Sequence, residues 1–239
     1  MDIRTIKENA KAALRMRYWP MVGIELLAGA LVGGGRYSFG FSVKSDGSDL
    51  QNFLNDLPFG KEISSTVVMI GMLAAMAGLV YVFLFGNVIR VGISGIRLST
   101  YRQQGFKIVD LFKGLKQYKR MVGTMALETL FISLGFCCFI VPGIIVALGL
   151  FEVPFLLNED SELSGMAAIR RSWEDMKGYK GRLFGFGLSF FGWIVLTALT
   201  CGVLAIFYVG PYISIAEAGF FHERQALLEK EREAAVVMP

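Results

Sequence analysis

The chain has 239 residues, 54% of them hydrophobic and 18% charged, with a mean hydropathy of +0.53; a soluble domain averages roughly 45–50% apolar and about 25% charged. These figures exclude a disordered chain, a collagen-like chain, a disulfide scaffold and a conventional soluble enzyme. The net charge of +4 would suit a nucleic-acid partner only if the basic residues formed a patch, so their distribution decides the matter.

The chain opens on an amphipathic segment, residues 1–17, in which Ile3, Ile6, Ala10, Ala13 and Leu14 fall at helical spacing among Arg4, Lys7, Lys11 and Arg15. The first apolar run follows, about Tyr18 to Gly35. Its long charged preamble and the interrupting Glu25 argue against a cleaved signal peptide. After a loop of residues 36–63 comes a second run, Ser64 to Ile89. The loop is Ser-, Asp- and Gly-rich over Ser42 to Asp49, and its Leu50, Phe53, Leu54 and Leu57 form a short apolar face for the outer leaflet.

A second basic segment precedes the third run. Ile108, Leu111, Phe112, Leu115 and Tyr118 are spaced for one helix face, and Lys113, Lys116, Lys119 and Arg120 supply a membrane-surface basic face. Asp110 sits where a carboxylate suits the helix dipole. The third run, Met121 to Ile140, and the fourth, Ile144 to Leu157, are separated by Val141-Pro142-Gly143, a tight-turn sequence. The fourth is short, since fourteen residues cover only about 21 Å of a roughly 30 Å hydrocarbon core.

A third amphipathic segment presents Met166, Ile169, Trp173 and Met176, carries the four-apart pairs Arg170 with Glu174 and Arg171 with Asp175, and has Gly178 placed to end it. The fifth run is Leu183 to Thr200, the sixth Val203 to Phe221, and residues 222–239 form a charged tail. Of the 24 Lys and Arg, only Arg36, Lys44 and Lys61 fall in the connections alternate to the basic ones. The positive-inside rule then gives six transmembrane helices with both termini in the cytoplasm. The positive charge points to anionic inner-leaflet lipid, not to nucleic acid.

Tyr18-Trp19-Pro20-Met21-Val22-Gly23 and Tyr118-Lys119-Arg120-Met121-Val122-Gly123 share Tyr, Met, Val and Gly at equal spacing, and Tyr179-Lys180-Gly181-Arg182 continues the pattern loosely. The repeat predicts three hairpins, each led by a cytoplasmic amphipathic elbow helix, around a common axis. Close helix approach is expected at Gly29 and Gly33, Ala74 and Gly78, and Gly181 and Gly185. Pro154 and Pro211 predict kinks in the fourth and sixth runs.

Four carboxylates interrupt the apolar runs: Glu25, Glu128, Glu152 and Glu217. Counted at about 1.5 Å per residue, all lie roughly 6 to 11 Å from the cytoplasmic ends. Two readings follow. Either the four form a cytosol-facing acidic site, or each pairs with a base such as Arg90, Arg97, Lys180 or Arg182 and staples the bundle. There is a single histidine, His222, and no metal-ligand spacing, phosphate-binding loop or nucleophile elbow, so neither a metal, a cofactor nor an enzymatic activity is expected. Cys137, Cys138 and Cys201 fall near external helix ends, as small hydrophobes or as a disulfide.

The Pro142-Gly143 turn, the stretch Ala168 to Gly178 with Ser172 and Met176, then Phe184, Leu188-Ser189-Phe190, Gly192-Trp193 and Pro211-Tyr212, together with the Ile3-Arg4 to Ala10-Lys11 opening, resemble the DUF975 family of bacterial multi-pass membrane proteins. The chain departs from it at Phe220-Phe221-His222, where a Phe-Tyr pair is expected. The resemblance implies a six-helix bacterial inner-membrane protein and supplies no activity or site residues. Two functional classes stand: a transport, channel-like or lipid-handling component, or a non-transporting scaffold, partner subunit or envelope-stress protein, with a second copy or another membrane protein as partner.

Overall fold

The computed structural model describes residues 2–32, 60–81, 85–200 and 202–237, with the side chains of 60–68, 75, 79, 113, 116 and a few terminal residues also left aside. The expectations for the loop after the first run, for Lys61 and for Cys201 lie outside the described part. Among the described residues the fold is all-α, as composition and periodicity predict. In chain order it comprises α1 (Ile3–Met16), α2 (Tyr18–Val32), α3 (Gly60–Tyr81), α4 (Asn87–Tyr101), a 3₁₀ helix (Ile108–Gln117), α5 (Tyr118–Cys138), α6 (Ile140–Gly149), α7 (Val153–Glu159), α8 (Gly165–Asp175), α9 (Lys180–Leu188), α10 (Phe191–Leu199), a π-helical stretch (Ala205–Val209) and α11 (Gly210–Val237).

Three stretches are long and apolar enough to cross a membrane: Tyr118–Cys138, Ile140–Glu159 and Lys180–Leu199. At about 1.5 Å per residue each reaches roughly 30 Å, the thickness of a hydrocarbon core. In the first and third only 22% of the apolar window is buried, and large side chains such as Phe139, Ile140, Val141 and Leu199 stand exposed. Water does not tolerate apolar surface on that scale, whereas lipid does. Tyr18–Leu31 and Met69–Gly78 are shorter apolar helices, lying on the first and second predicted runs, and the sixth run falls on the π-helical stretch and the start of α11.

Helix α4 is the hub, packing against α1, α2, the 3₁₀ helix, α5, α7 and α11. The sequence reading ends the second run at Ile89 and does not anticipate that the residues after it form a central, packed helix. Val91, Ile93, Ile96, Leu98 and Tyr101 are all buried. Their spacing is helical, but Arg90 and Arg97 break the hydropathy that marks a membrane run. The main core gathers α1, α4, α7 and α11 around Phe155, Phe186, Phe190, Phe220 and Phe221, with Phe155 stacked on Phe221 at 4.9 Å.

The hairpin turn also moves. The chain bends at Phe139, whose φ of −166° and ψ of 160° are extended, and Pro142 and Gly143 lie in the first turn of α6. A proline there is undemanding, because first-turn N–H groups have no helical partner. Gly143 is required by packing, since a Cβ would collide with the Phe136 ring. The fourth run borrows length from both flanks and breaks at Leu150–Glu152, one turn before the kink expected at Pro154. Across that break the Ser172 hydroxyl donates to the Gly149 carbonyl at 2.9 Å and accepts from the Glu152 N–H at 3.2 Å. Pro211 withholds the N–H that the Phe207 carbonyl, four residues earlier, would accept, and the Tyr18 hydroxyl donates to that carbonyl at 2.7 Å instead.

The amphipathic segments fold, with changes. Helix α1 buries Ile6, Ala10, Ala13 and Leu14, but against α11 and α4. Its Lys7 donates to the Ser189 carbonyl at 3.0 Å, in the interruption between α9 and α10, and lies over the Phe190 ring. The second segment is a 3₁₀ helix, which turns faster than an α-helix, so of its expected stripe Leu111 is buried while Ile108, Phe112 and Leu115 are exposed. Asp110 accepts from the Lys107 N–H at 2.8 Å, as its position predicts. In α8 the pairs Arg170–Glu174 and Arg171–Asp175 form at 3.4 and 3.5 Å, Met166 is exposed, and Gly178 follows with a φ of 76°. Among the described residues a Cβ at Gly78, Gly181 or Gly185 would meet nothing within 4 Å, so the expected small-residue contacts are not seen there; close approach occurs at Gly92 and Gly219. Helix α11 runs unbroken through the charged tail to Val237.

Candidate functional site

Arg90 and Arg97 are seven residues apart on α4, two helical turns, and so share a face. From α2, Glu25 meets Arg97 in a two-pronged pair, with Arg97 Nε to Glu25 Oε1 at 2.8 Å and Nη2 to Oε2 at 2.9 Å. The two side chains are 12% and 11% exposed, so the fork is shielded from water. From α5, the buried Glu128 faces Arg90 at 3.9 Å, a looser pair whose arginine is 45% exposed. All four groups line one cavity of about 560 Å³, whose remaining wall is largely apolar and includes Ile93, Ile132, Phe151 and Phe155. Among the described residues its wall carries two carboxylates and two guanidiniums.

A second cavity of about 530 Å³ adjoins the first, sharing Ala147, Phe151 and Ala205 with it, and is lined mainly by Phe136, Phe186, Phe190 and Ile194. Glu217 and Thr197 are also on its wall. The Thr197 hydroxyl is buried without a hydrogen-bond partner among the described residues.

Glu152 lines neither cavity. It sits fully buried in the break between α6 and α7 and accepts from Gln225 Nε2 at 3.0 Å, and the same amide donates to Asp175 at 3.3 Å. Arg224 donates to the Asp175 carbonyl at 2.8 Å and lies over the Tyr179 ring at 3.9 Å. This network ties α7 and α8 to α11. The four glutamates therefore do not form one site: Glu25 and Glu128 share a cavity, Glu217 faces another, and Glu152 is part of a packed seam. Counting residues from a membrane edge gives depth, whereas the rotation of each helix decides what an acid faces.

Of the four expected bases, Arg97 and Arg90 pair with acids. Lys180 instead lies 3.1 Å from the centre of the Trp173 ring of α8, and Arg182 lies toward Tyr179 at the start of its own helix, so each meets an aromatic face. Among the membrane-surface bases, Lys119 is exposed, while the side chains of Lys113 and Lys116 lie outside the described part. Arg120 has turned inward. Its guanidinium donates to the carbonyls of Leu157 at 3.1 Å, Leu163 at 2.8 Å, Asp160 and Ser161, satisfying the carboxyl end of α7.

Beyond the membrane-crossing stretches, burial and the nearby Arg102 push His222 below its ordinary value of 6.5, against the opposing pull of Glu223, Glu159 and Glu229. Burial likewise lowers Lys7. Cys137 and Cys138 are free. Sequence reasoning missed Gln225 and the splicing role of Ser172, both neutral polar residues whose importance comes from the helix break they face. A proline shortly after a buried acid was the available signal.

No curated protein and no solved structure matches the chain at a significant level. A family model described as "Protein of unknown function (DUF975)" matches residues 10–227. The Pro211–Tyr212 and Ala168–Gly178 segments that carry the resemblance lie within that match, and the chain belongs to the DUF975 family.

Proposed function

We propose that this is a non-enzymatic protein of the bacterial cytoplasmic membrane, with six crossings in three hairpins and both termini in the cytoplasm, that holds an amphiphilic lipid inside its helix bundle. The carrying observation is the cavity walled by apolar side chains and by Arg90, Arg97, Glu25 and Glu128. Its volume is in the range of ligand sites, roughly 300–1,000 Å³, and polar groups converging in an apolar wall suit a molecule with a charged head and a hydrocarbon body. The basic segments favour the inner leaflet, and the packing of α1 against α11 supports termini on one side.

Native mass spectrometry of the full chain, released from mild detergent, tests the reading. A lipid adduct that survives activation sufficient to strip the micelle is expected. A bare chain, with no thermal shift on adding bacterial lipid extract, would overturn it. The alternative, a scaffold or partner subunit, is favoured by the Glu25–Arg97 fork and the Glu152–Gln225–Asp175 seam, which tie helices to one another; it predicts the bare chain together with capture of a second copy or another membrane protein.

A further inference from the structure

We infer that the second cavity takes the acyl chain of an ester-linked membrane lipid, the ester carbonyl accepting a hydrogen bond from the Thr197 hydroxyl and the hydrocarbon lying along Ile194, Phe190 and Phe186. The inference shares with the reading above the placement of the chain in a bilayer, and it asks nothing of the charge-lined cavity.

Thr197 is 2% exposed, stands on the cavity wall, and has no hydrogen-bond partner for its Oγ1 among the described residues. Hydroxyls on apolar helices commonly return to the carbonyl four residues back. Thr100, Thr124 and Thr129 do so at 2.8 Å and Ser133 at 2.7 Å. Thr197 makes no such return, so a buried donor is left without an acceptor, a cost that native folds seldom leave standing. Water is a poor remedy, because a buried water needs roughly two to four polar partners. The other polar side chain on this wall, Glu217, lies toward the opposite end. Trp193 meets Tyr208 at 5.3 Å, Phe190 meets Tyr212 at 5.5 Å and Phe186 meets Phe220 at 5.4 Å. The two stretches therefore run antiparallel and set Glu217 between the levels of Phe190 and Phe186, roughly 12–15 Å from Thr197 along the axis.

Depth and wall chemistry choose the occupant. Thr197 comes near the end of the membrane-crossing stretch Lys180–Leu199, about 26 Å beyond Lys180 at 1.5 Å per residue, and so near the edge of a roughly 30 Å hydrocarbon core. At that level a bilayer lipid presents its ester carbonyls, which are acceptors with no donor of their own, and its acyl chains lead inward. The wall inward of Thr197 offers them Ile194, Phe190 and Phe186, with Phe136, Ile144 and Leu148 from α5 and α6. Phe136 and Ile194 are also exposed, so the cavity opens on the apolar flank of the bundle, where a lipid enters sideways. Its volume of about 530 Å³ falls in the range of ligand sites.

The full chain in mild detergent is offered equimolar diester and diether phosphatidylglycerol of matched chains, which differ at the linkage carbonyls alone, together with palmitic acid, and the retained ligand is read by native mass spectrometry. The diester is expected to exceed the diether about fivefold, the discrimination of one neutral hydrogen bond. Thr197→Ser should keep that preference. Thr197→Val should still retain lipid, with the ratio near unity and a thermal midpoint that is unchanged or raised, because the stranded hydroxyl is gone. A ratio near unity in the unmodified chain, or a preference undiminished in Thr197→Val, would overturn the role of Thr197 and leave lipid in the charge-lined cavity standing. Palmitic acid retained ahead of both lipids would overturn the ester-linked occupant, and retention of no ligand would overturn this inference and the lipid reading together. If Thr197→Val does not fold, the ratios in the unmodified chain and in Thr197→Ser decide.

Discussion

Glu25 and Arg97 meet across α2 and α4 in a fork that little water reaches. Removing one partner leaves the other charged in a poor dielectric, at a cost of about 3–5 kcal/mol, whereas replacing both with apolar residues of similar volume is close to neutral. Glu25→Gln and Arg97→Met should each lower the thermal midpoint sharply, and Glu25→Met combined with Arg97→Met should recover most of the loss. Additive losses in a fluorescence-detected melting series would show that the two do not form one unit. The pair was half legible in the sequence: an acid within an apolar run demands a base, and Arg97 was among those near enough. The destinations of Lys180 and Arg120 were not legible. They depend on which aromatic ring and which helix end the tertiary fold delivers, and neither leaves a mark at fixed spacing in the chain.

Helices obey a similar division. The period of α1 and the pairs of α8 announce themselves through local sequence, as does the stop at Gly178. Helix α4 does not, because the arginines it carries toward the cavity lower its hydropathy below that of a membrane run. Its closest neighbour is set by Gly92, where a Cβ would strike the Leu111 carbonyl of the 3₁₀ helix. Backbone cannot yield as a flexible side chain does, so Gly92→Ala should cost roughly 1–3 kcal/mol. Gly185→Ala, at a position where the Cβ meets nothing within 4 Å, should leave stability unchanged or raise it by up to about 1 kcal/mol through helix propensity. Thermal midpoints of the two variants measure the contrast; equal losses would mean that Gly185 faces protein and not lipid. The glycines four apart that sequence reading favoured include this exposed position, since the spacing alone does not tell which side of a helix a neighbour occupies.

For the molecule as a whole, the abundance of apolar side chains left exposed on α5, α6 and α10 agrees with what composition already required, and this was the most legible level of all. The proposed sidedness rests on the distribution of the basic residues. In a background with Cys137, Cys138 and Cys201 replaced, Glu8→Cys and Glu233→Cys should react with an impermeant maleimide only in inverted vesicles, and Ser48→Cys only in intact cells; labelling of Glu8→Cys from outside would reverse the topology. The fit of the cavity, by contrast, depends on segments far apart in sequence, and so does the closure of the bundle. Lys7 finds the Ser189 carbonyl 182 positions away, and Tyr18 finds that of Phe207 at a separation of 189. At a synthesis rate of roughly 5–20 residues per second, their partners emerge on the order of 10–40 s after them. The first helix made is therefore among the last to be seated, its contacts with the Ser189 carbonyl and with α11 forming only once most of the chain has been synthesised.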